Sequence, residues 1–169
     1  MNSDAAHKES SIAPVDPREF RNALGRFMSG ITVVSAEANG EPHGMTANAF
    51  ISVSLDPPLI LVSIDRRAHM LGFLARAGRF GVSVLGIGHE AYSMHFSGRP
   101  QEGLDVAWQR EGFDTPVLAD GIAQLDCDVH STIEAGDHTL YLGRVKRLRY
   151  RDGEPLGYFQ GKYRVLKPL

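Results

Sequence analysis

Asn39-Gly40 lies between two stretches of strand character, "ITVVSAEA" from Ile31 and "HGMTANAFISVSL" from His43. An Asn-Gly pair accepts the positive φ of a tight turn whose twist matches that of its flanking strands, so the two stretches are predicted to pair antiparallel. Pro57-Pro58 forces a second turn before "LILVSID", an apolar run that reads as a buried strand. "RFGVSVL" is another strand. Later, Leu125, Cys127 and Val129 alternate with Asp126, Asp128 and His130, the pattern of a strand buried on one face. "TLYLGRVKRLRYR" also alternates, but its apolar phase slips after Leu142, which places a bulge at Gly143. Asp152-Gly153 predicts a further hairpin into "PLGYFQGKYRVL".

Helices are few and short. Asp16 caps a first one, with Pro17 at its first position and Glu19 at capping-box spacing; Phe20, Ala23, Leu24, Phe27 and Met28 recur at helical intervals, and Gly30 is the expected stop. Met70, Phe73, Leu74 and Ala77 share a face of a second helix that ends at Gly78. A third surrounds "EAYSMHF", and Gly98 to Gly112 reads as loop. Antiparallel hairpins with short helices between them point to a mainly β fold, a closed or nearly closed barrel rather than a helix-covered parallel sheet.

The chain has 169 residues, the size of one domain. Its 18 lysines and arginines stand against 20 acids, so nothing draws it to nucleic acid or an anionic membrane. One cysteine, Cys127, fits a reducing compartment and reads as a small core residue. The polar start lacks a signal-peptide core and no apolar run reaches the roughly 20 residues of a membrane helix, so a cytoplasmic location is expected, with a disordered tail over 1–14.

Several motifs are absent or misleading. Gly86-Ile87-Gly88-His89-Glu90-Ala91 spells G-x-G-x-x-A after a strand, with Asp105 where an acid would stand. The fingerprint needs a βαβ unit, and "GLDVAW" makes no buried second strand, so an ordinary strand-to-helix turn is the better reading. Seven histidines form neither H-x-H nor H-E-x-x-H, and no metal site is expected. No G-x-S-x-G elbow or Walker-type loop occurs.

Short polar side chains at Thr46, Asn48, Ser52 and Ser54 could line an extended anionic ligand, with Arg66 and Arg67 meeting a phosphate; a solvated strand face explains them equally well. Gly136-Asp137-His138 is by itself a hairpin with an exposed histidine. Trp108 reads as packing or as part of a subunit contact.

In order and spacing, "FRNALGRFMSGITVVSA", "GMTANAFISVSLDPPLILVSIDRRAH", "RFGVSVL", "GFDTPVLADGIAQLDCDV", "GDHTLYLGRV" and "YFQGKYR" resemble the flavin reductase-like family of FMN-binding split barrels. That family includes the reductase components of two-component flavin monooxygenases. Ser29 stands where threonine is frequent, and Met70 where Thr or Ser is, which removes a hydroxyl contact there.

The resemblance implies an antiparallel, Greek-key-like split β-barrel over 15–169. It places Met45, Thr46, Ala47 and Asn48 along the flavin ring and ribityl chain, with Ser52, Val53 and Ser54 continuing that wall. Ser63, Ile64 and Asp65, then Arg67, Ala68 and His69, would reach the ribityl and phosphate. Phe96, Ser97 and Arg99 would border the cofactor, from the same or a neighbouring subunit, and Tyr158 and Tyr163 would close over it, although aromatic packing in a last strand accounts for these two as well. His138 would meet the nicotinamide, with Asp137 orienting it. The implied activity is transfer of hydride from NADH or NADPH to FMN or FAD by a homodimer, with reduced flavin passing to a flavin-dependent oxygenase component. The alternatives are a flavoprotein holding FMN as an electron carrier or oxidase, and a flavin-binding module without nicotinamide chemistry.

Overall fold

The computed structural model describes residues 14–167, so the expected tail over 1–14 lies, but for its last residue, outside the described residues. The chain runs α1 (Pro17–Leu24), β1 (Ser29–Gly30), β2 (Thr32–Ala38), β3 (Glu41–Ala47), β4 (Phe50–Leu55), β5 (Pro58–Asp65), α2 (Met70–Ala77), β6 (Arg79–Val84) and α3 (Glu90–Phe96). It continues through β7 (Trp108–Gln109), β8 (Val117–Leu118), β9 (Ala123–Ala135), β10 (His138–Tyr150), β11 (Gly157–Phe159) and β12 (Lys162–Arg164).

Seven strands form one antiparallel sheet in the order β3-β2-β6-β9-β10-β5-β4. Its two edge strands, β3 and β4, are joined only by Asn48 and Ala49, and the Ser63 N–H donates to the Ala49 carbonyl at 3.1 Å. The mainly β, antiparallel expectation therefore holds.

The Asn39-Gly40 turn forms as expected, with both residues at positive φ (55° and 79°) between the paired Ala38 and Glu41. Leu55 and Pro58 pair across the double-proline turn. α2 ends at Gly78 in the left-handed region, φ 64°. β9 and β10 shift register at Leu142/Gly143, where the apolar phase slips. A side chain at Gly143 would enter the ring of the fully buried Phe80 and lie 3.0 Å from the Cys127 Cβ. Gly143→Ala should therefore cost about 1–2 kcal/mol, read as a lowered midpoint in denaturant at unchanged slope.

Three expectations are corrected. α1 stops at Leu24 with Gly25 as its C-cap, not at Gly30. Arg26 and Phe27 continue only as i→i−3 turns, while Gln160 N–H takes the Gly25 carbonyl at 3.0 Å, so a tertiary contact draws the chain out of the helix. Asp152-Gly153 makes no hairpin: past Tyr150 the chain leaves the large sheet, Pro155 bridges to Gly86, and β11 pairs with β1 and β12 instead. The hairpin lies at Gln160-Gly161, both at positive φ (51° and 74°). Finally, β9 is buried on both faces in its first half, because residues 113–118 cover Gln124 (4% exposed) and Asp126 (2%). The G-x-G-x-x-A stretch is a strand-to-helix turn, and the strand paired beside β6 after it, β9, runs antiparallel.

Two cores result. Val34, Ile60, Val62, Ile64, Phe80, Val82 and Cys127 pack with Met70 and Leu74 of α2. Ile31, Val33, Leu85, Leu118 and Leu156 form the second, flanked by Tyr92, Phe96, Trp108, Tyr158 and Tyr163. β2 serves both, which is why Thr32 to Ala36 are buried without alternation. Burial pushes the Cys127 thiol up to about 12, as suits an inert core residue.

Candidate active site

The aromatic rim of the second core opens into two cavities. One, of about 870 Å³, lies between α1 and the β11–β12 hairpin and is lined by Thr46, Asn48, Arg99, Tyr158 and Tyr163, with Asn22, Phe27, Ile31, Ser93 and Ser97. The other, of about 730 Å³, is lined by Met45, Thr46, Arg67, Ala68, His69 and Phe96, with His43, Gly44, His95 and Trp108. Thr46 and Ser97 line both, so the cavities stand on either side of one wall. The Thr46 hydroxyl donates to the Ser93 carbonyl of α3 at 2.8 Å. A side chain at Gly44 would strike the Phe96 ring at 2.5 Å, so the bare backbone of β3 is what seats that ring, 5.6 Å from Trp108. Trp108 is thus a packing residue within the chain.

At the mouth of the second cavity the turn after β5 is clamped. The Asp65 carboxylate accepts from Arg67 N (2.8 Å), Nε (3.0 Å) and Nη2 (2.7 Å), while Ala68 N–H donates to the Asp65 carbonyl at 2.9 Å. These hydrogen bonds hold the Asp65 carboxyl well below the usual carboxylate range. The Arg67 guanidinium is therefore paired within its own turn, which gives the turn a fixed shape. His43 stacks on Phe73 at 4.6 Å, and burial, then the neighbouring His69, lowers its pKa, leaving a neutral imidazole at pH 7.

The tip of the β9–β10 hairpin is tied to the same turn. His138 pairs across the sheet with Asp65, and Arg66 N–H donates to the Asp137 carbonyl at 2.9 Å. His138 Nδ1 lies 2.8 Å from Asp137 Oδ1, which leaves Nε2 for a ligand. That hydrogen bond holds the Asp137 carboxyl low.

Not every expected residue lines a cavity. Ala47 and Ile64 are core residues at 7% and 0% exposure. Ser52, Val53 and Ser54 lie on the edge strand β4, and Ser63 lies on β5 opposite Leu140, all outside both cavities. Asp65, Asp137 and His138 also stand outside the lining, beside the turn that closes the second cavity. Ser97, expected at the cofactor border, lines both cavities, whereas Ser93 on α3 was not anticipated.

Comparison with known proteins bears directly on this site. Residues 24–167 match the flavin reductase like domain. The chain belongs to the flavin reductase-like family. This reductase-like chain is 47% identical over 160 residues to an NADH-dependent flavin reductase of a Rhodococcus species, covering 92% of the chain and 89% of the relative. It is 43% identical to the reductase component of 4-hydroxyphenylacetate 3-monooxygenase from Thermus thermophilus, over 87% of the chain and 95% of that protein. Its fold superposes with a TM-score of 0.81 on the NADH:FAD oxidoreductase of Streptomyces globisporus in complex with NAD and FAD fragments, at 36% identity and covering 93% and 98% of the two chains.

Proposed function

We propose that this flavin reductase-like chain transfers hydride from NADH or NADPH to FMN or FAD and releases the reduced flavin to a flavin-dependent oxygenase component. The carrying observation is the lining of the paired cavities. Apolar and aromatic faces at Phe27, Ile31, Tyr158 and Tyr163 stand beside neutral amides at Asn22 and Asn48 and hydroxyl oxygens at Thr46 and Ser97, together with Arg99. That mixture fits an uncharged ring system with an anionic tail. When bound, the flavin supplies the redox chemistry, taking hydride at N5.

The chain's own residues bind and orient. Met45, Thr46 and Asn48 border the ring, the Asp65-clamped turn through Arg67, Ala68 and His69 takes the phosphate end, and Phe96, Arg99, Tyr158 and Tyr163 enclose it. His138, held by Asp137, positions the nicotinamide through Nε2. Ala47, Ser63 and Ile64 act through the backbone they fix. Ser52, Val53 and Ser54 belong to an exposed edge, which suits a subunit contact better than the flavin wall.

The active form is a cytoplasmic homodimer of one split-barrel domain over 15–169. The dimer is supported by Ile51, Val53 and Leu55 on edge strand β4, at 56%, 47% and 94% exposure, and by α1, none of whose residues is buried. The split barrel is supported by the chain continuity between the two sheet edges, β3 and β4. Among the described residues no helix is long and apolar enough to cross a membrane.

Mixing the pure protein with NADH or NADPH and excess FMN or FAD under nitrogen should bleach the flavin absorbance over many turnovers. A trace that stays flat with every pair overturns the assignment. Gel filtration then separates a substrate flavin, left behind, from a resident one, which co-elutes.

A further inference from the structure

Ser93 joins three elements of the first cavity. α3 presents it inward at 3% exposure, its backbone carbonyl accepts the Thr46 hydroxyl of β3, and its Oγ accepts the Tyr163 hydroxyl of β12 at 3.0 Å. Tyr163 is held from a second side by the Tyr158 ring, edge-on at 5.8 Å and 61°. A phenol carries one proton and two lone pairs. One of these sites is taken up by the bond to Ser93, which fixes where the Tyr163 oxygen stands in the cavity lining and leaves it further hydrogen-bonding capacity for a ligand.

We propose that Ser93 is a positioning residue of the reductase site. It fixes the Tyr163 hydroxyl in place for a hydrogen bond with a polar group of the bound flavin, such as a ribityl hydroxyl, which can donate or accept. The inference rests on the flavin reading above. Without the serine oxygen the phenol loses its buried partner and its fixed direction, and its hydrogen bond to the ligand weakens. A serine that merely packs α3 would leave the contact between Tyr163 and the ligand unchanged.

The test is a double-mutant cycle of Ser93→Ala and Tyr163→Phe, read by quenching of FMN fluorescence on binding and by steady-state kinetics with NADH. Each single variant should raise the FMN Kd and KM about five- to tenfold, with kcat within about twofold. The double variant should cost no more than either single one, since both remove the same contact. Ser93→Thr, which keeps the hydroxyl, should restore most of the affinity. Thermal melts verify folding; if Ser93→Ala does not fold, Ser93→Cys, of similar volume and weak as an acceptor, takes its place in the cycle.

Additive losses, or wild-type affinity in Ser93→Ala, overturn the proposal while leaving the flavin reading intact. Wild-type protein that leaves FMN fluorescence unchanged overturns both. FMN binding without turnover by NADH sinks the reductase assignment alone, and the cycle is then read from binding.

Discussion

Replacing His138 with alanine is expected to slow hydride transfer about 10- to 100-fold while leaving flavin affinity within about twofold. The asymmetry follows from where the residue stands. Its side chain is 40% exposed at the tip of the β9–β10 hairpin and lines neither cavity, so little flavin contact is lost with it. What is lost is an imidazole held at Nδ1 by Asp137, on a strand end whose backbone is set by its pairing with Asp65. Such a group can hold the nicotinamide at reacting distance, and positioning errors of about 1 Å cost on the order of a hundredfold. Stopped-flow flavin reduction gives the rate and equilibrium titration gives the affinity; a variant that reduces flavin at the wild-type rate moves the role elsewhere.

The Asp137 partner sets a condition on pH. Because its pKa is lowered in the fold by the hydrogen bond to His138, the contribution of that bond is fully present above the unfolded value of about 3.9. It is lost only as the pH falls through the lower folded value. An acid limb of activity near neutrality would therefore report a group other than Asp137.

Much of the sheet was legible because the signals that set it are local. Asn39-Gly40 needs only its own two residues at positive φ, and Gly78 only its own left-handed cap. Asp152-Gly153 carries a similar local signal and fails, because the destination of the chain is decided by distant contacts: a side chain at Gly153 would strike Ile122 at 2.7 Å, and Pro155 bridges to Gly86. The helix stop at Gly25 likewise depends on Gln160, far along the sequence. The candidate site divides in the same way. Thr46, Asn48 and the turn at Arg67 to His69 were readable as a run of small and polar residues placed by the family resemblance. Ser93 was not, since its importance lies in two hydrogen bonds to strands that nothing local reveals.

Asp126→Ala should destabilise the protein by about 2–3 kcal/mol, lowering the melting temperature by about 4–12 °C. Alternation alone predicts this carboxylate to face water beside Asp128; instead it is 2% exposed and forms the floor under residues 113–118. It accepts the Thr115 hydroxyl at 2.7 Å and the Asp114 N–H at 2.8 Å, and Arg147 reaches it at 3.2 Å. The hydrogen bonds matter more than the ion pair, because the Arg147 side chain is 49% exposed and keeps a second partner in Asp114 at 2.6 Å. Removing the carboxylate strands a buried threonine hydroxyl and a backbone N–H, whereas Asp126→Asn keeps an acceptor and should recover more than half of the loss. The loosened segment carries Val117 and Leu118, and Leu118 belongs to the core beneath Trp108 and Phe96. Flavin affinity should therefore fall alongside stability in the alanine variant, and an Asp126→Ala protein that melts within about 1 °C of wild type would show that the buried carboxylate does not anchor the segment.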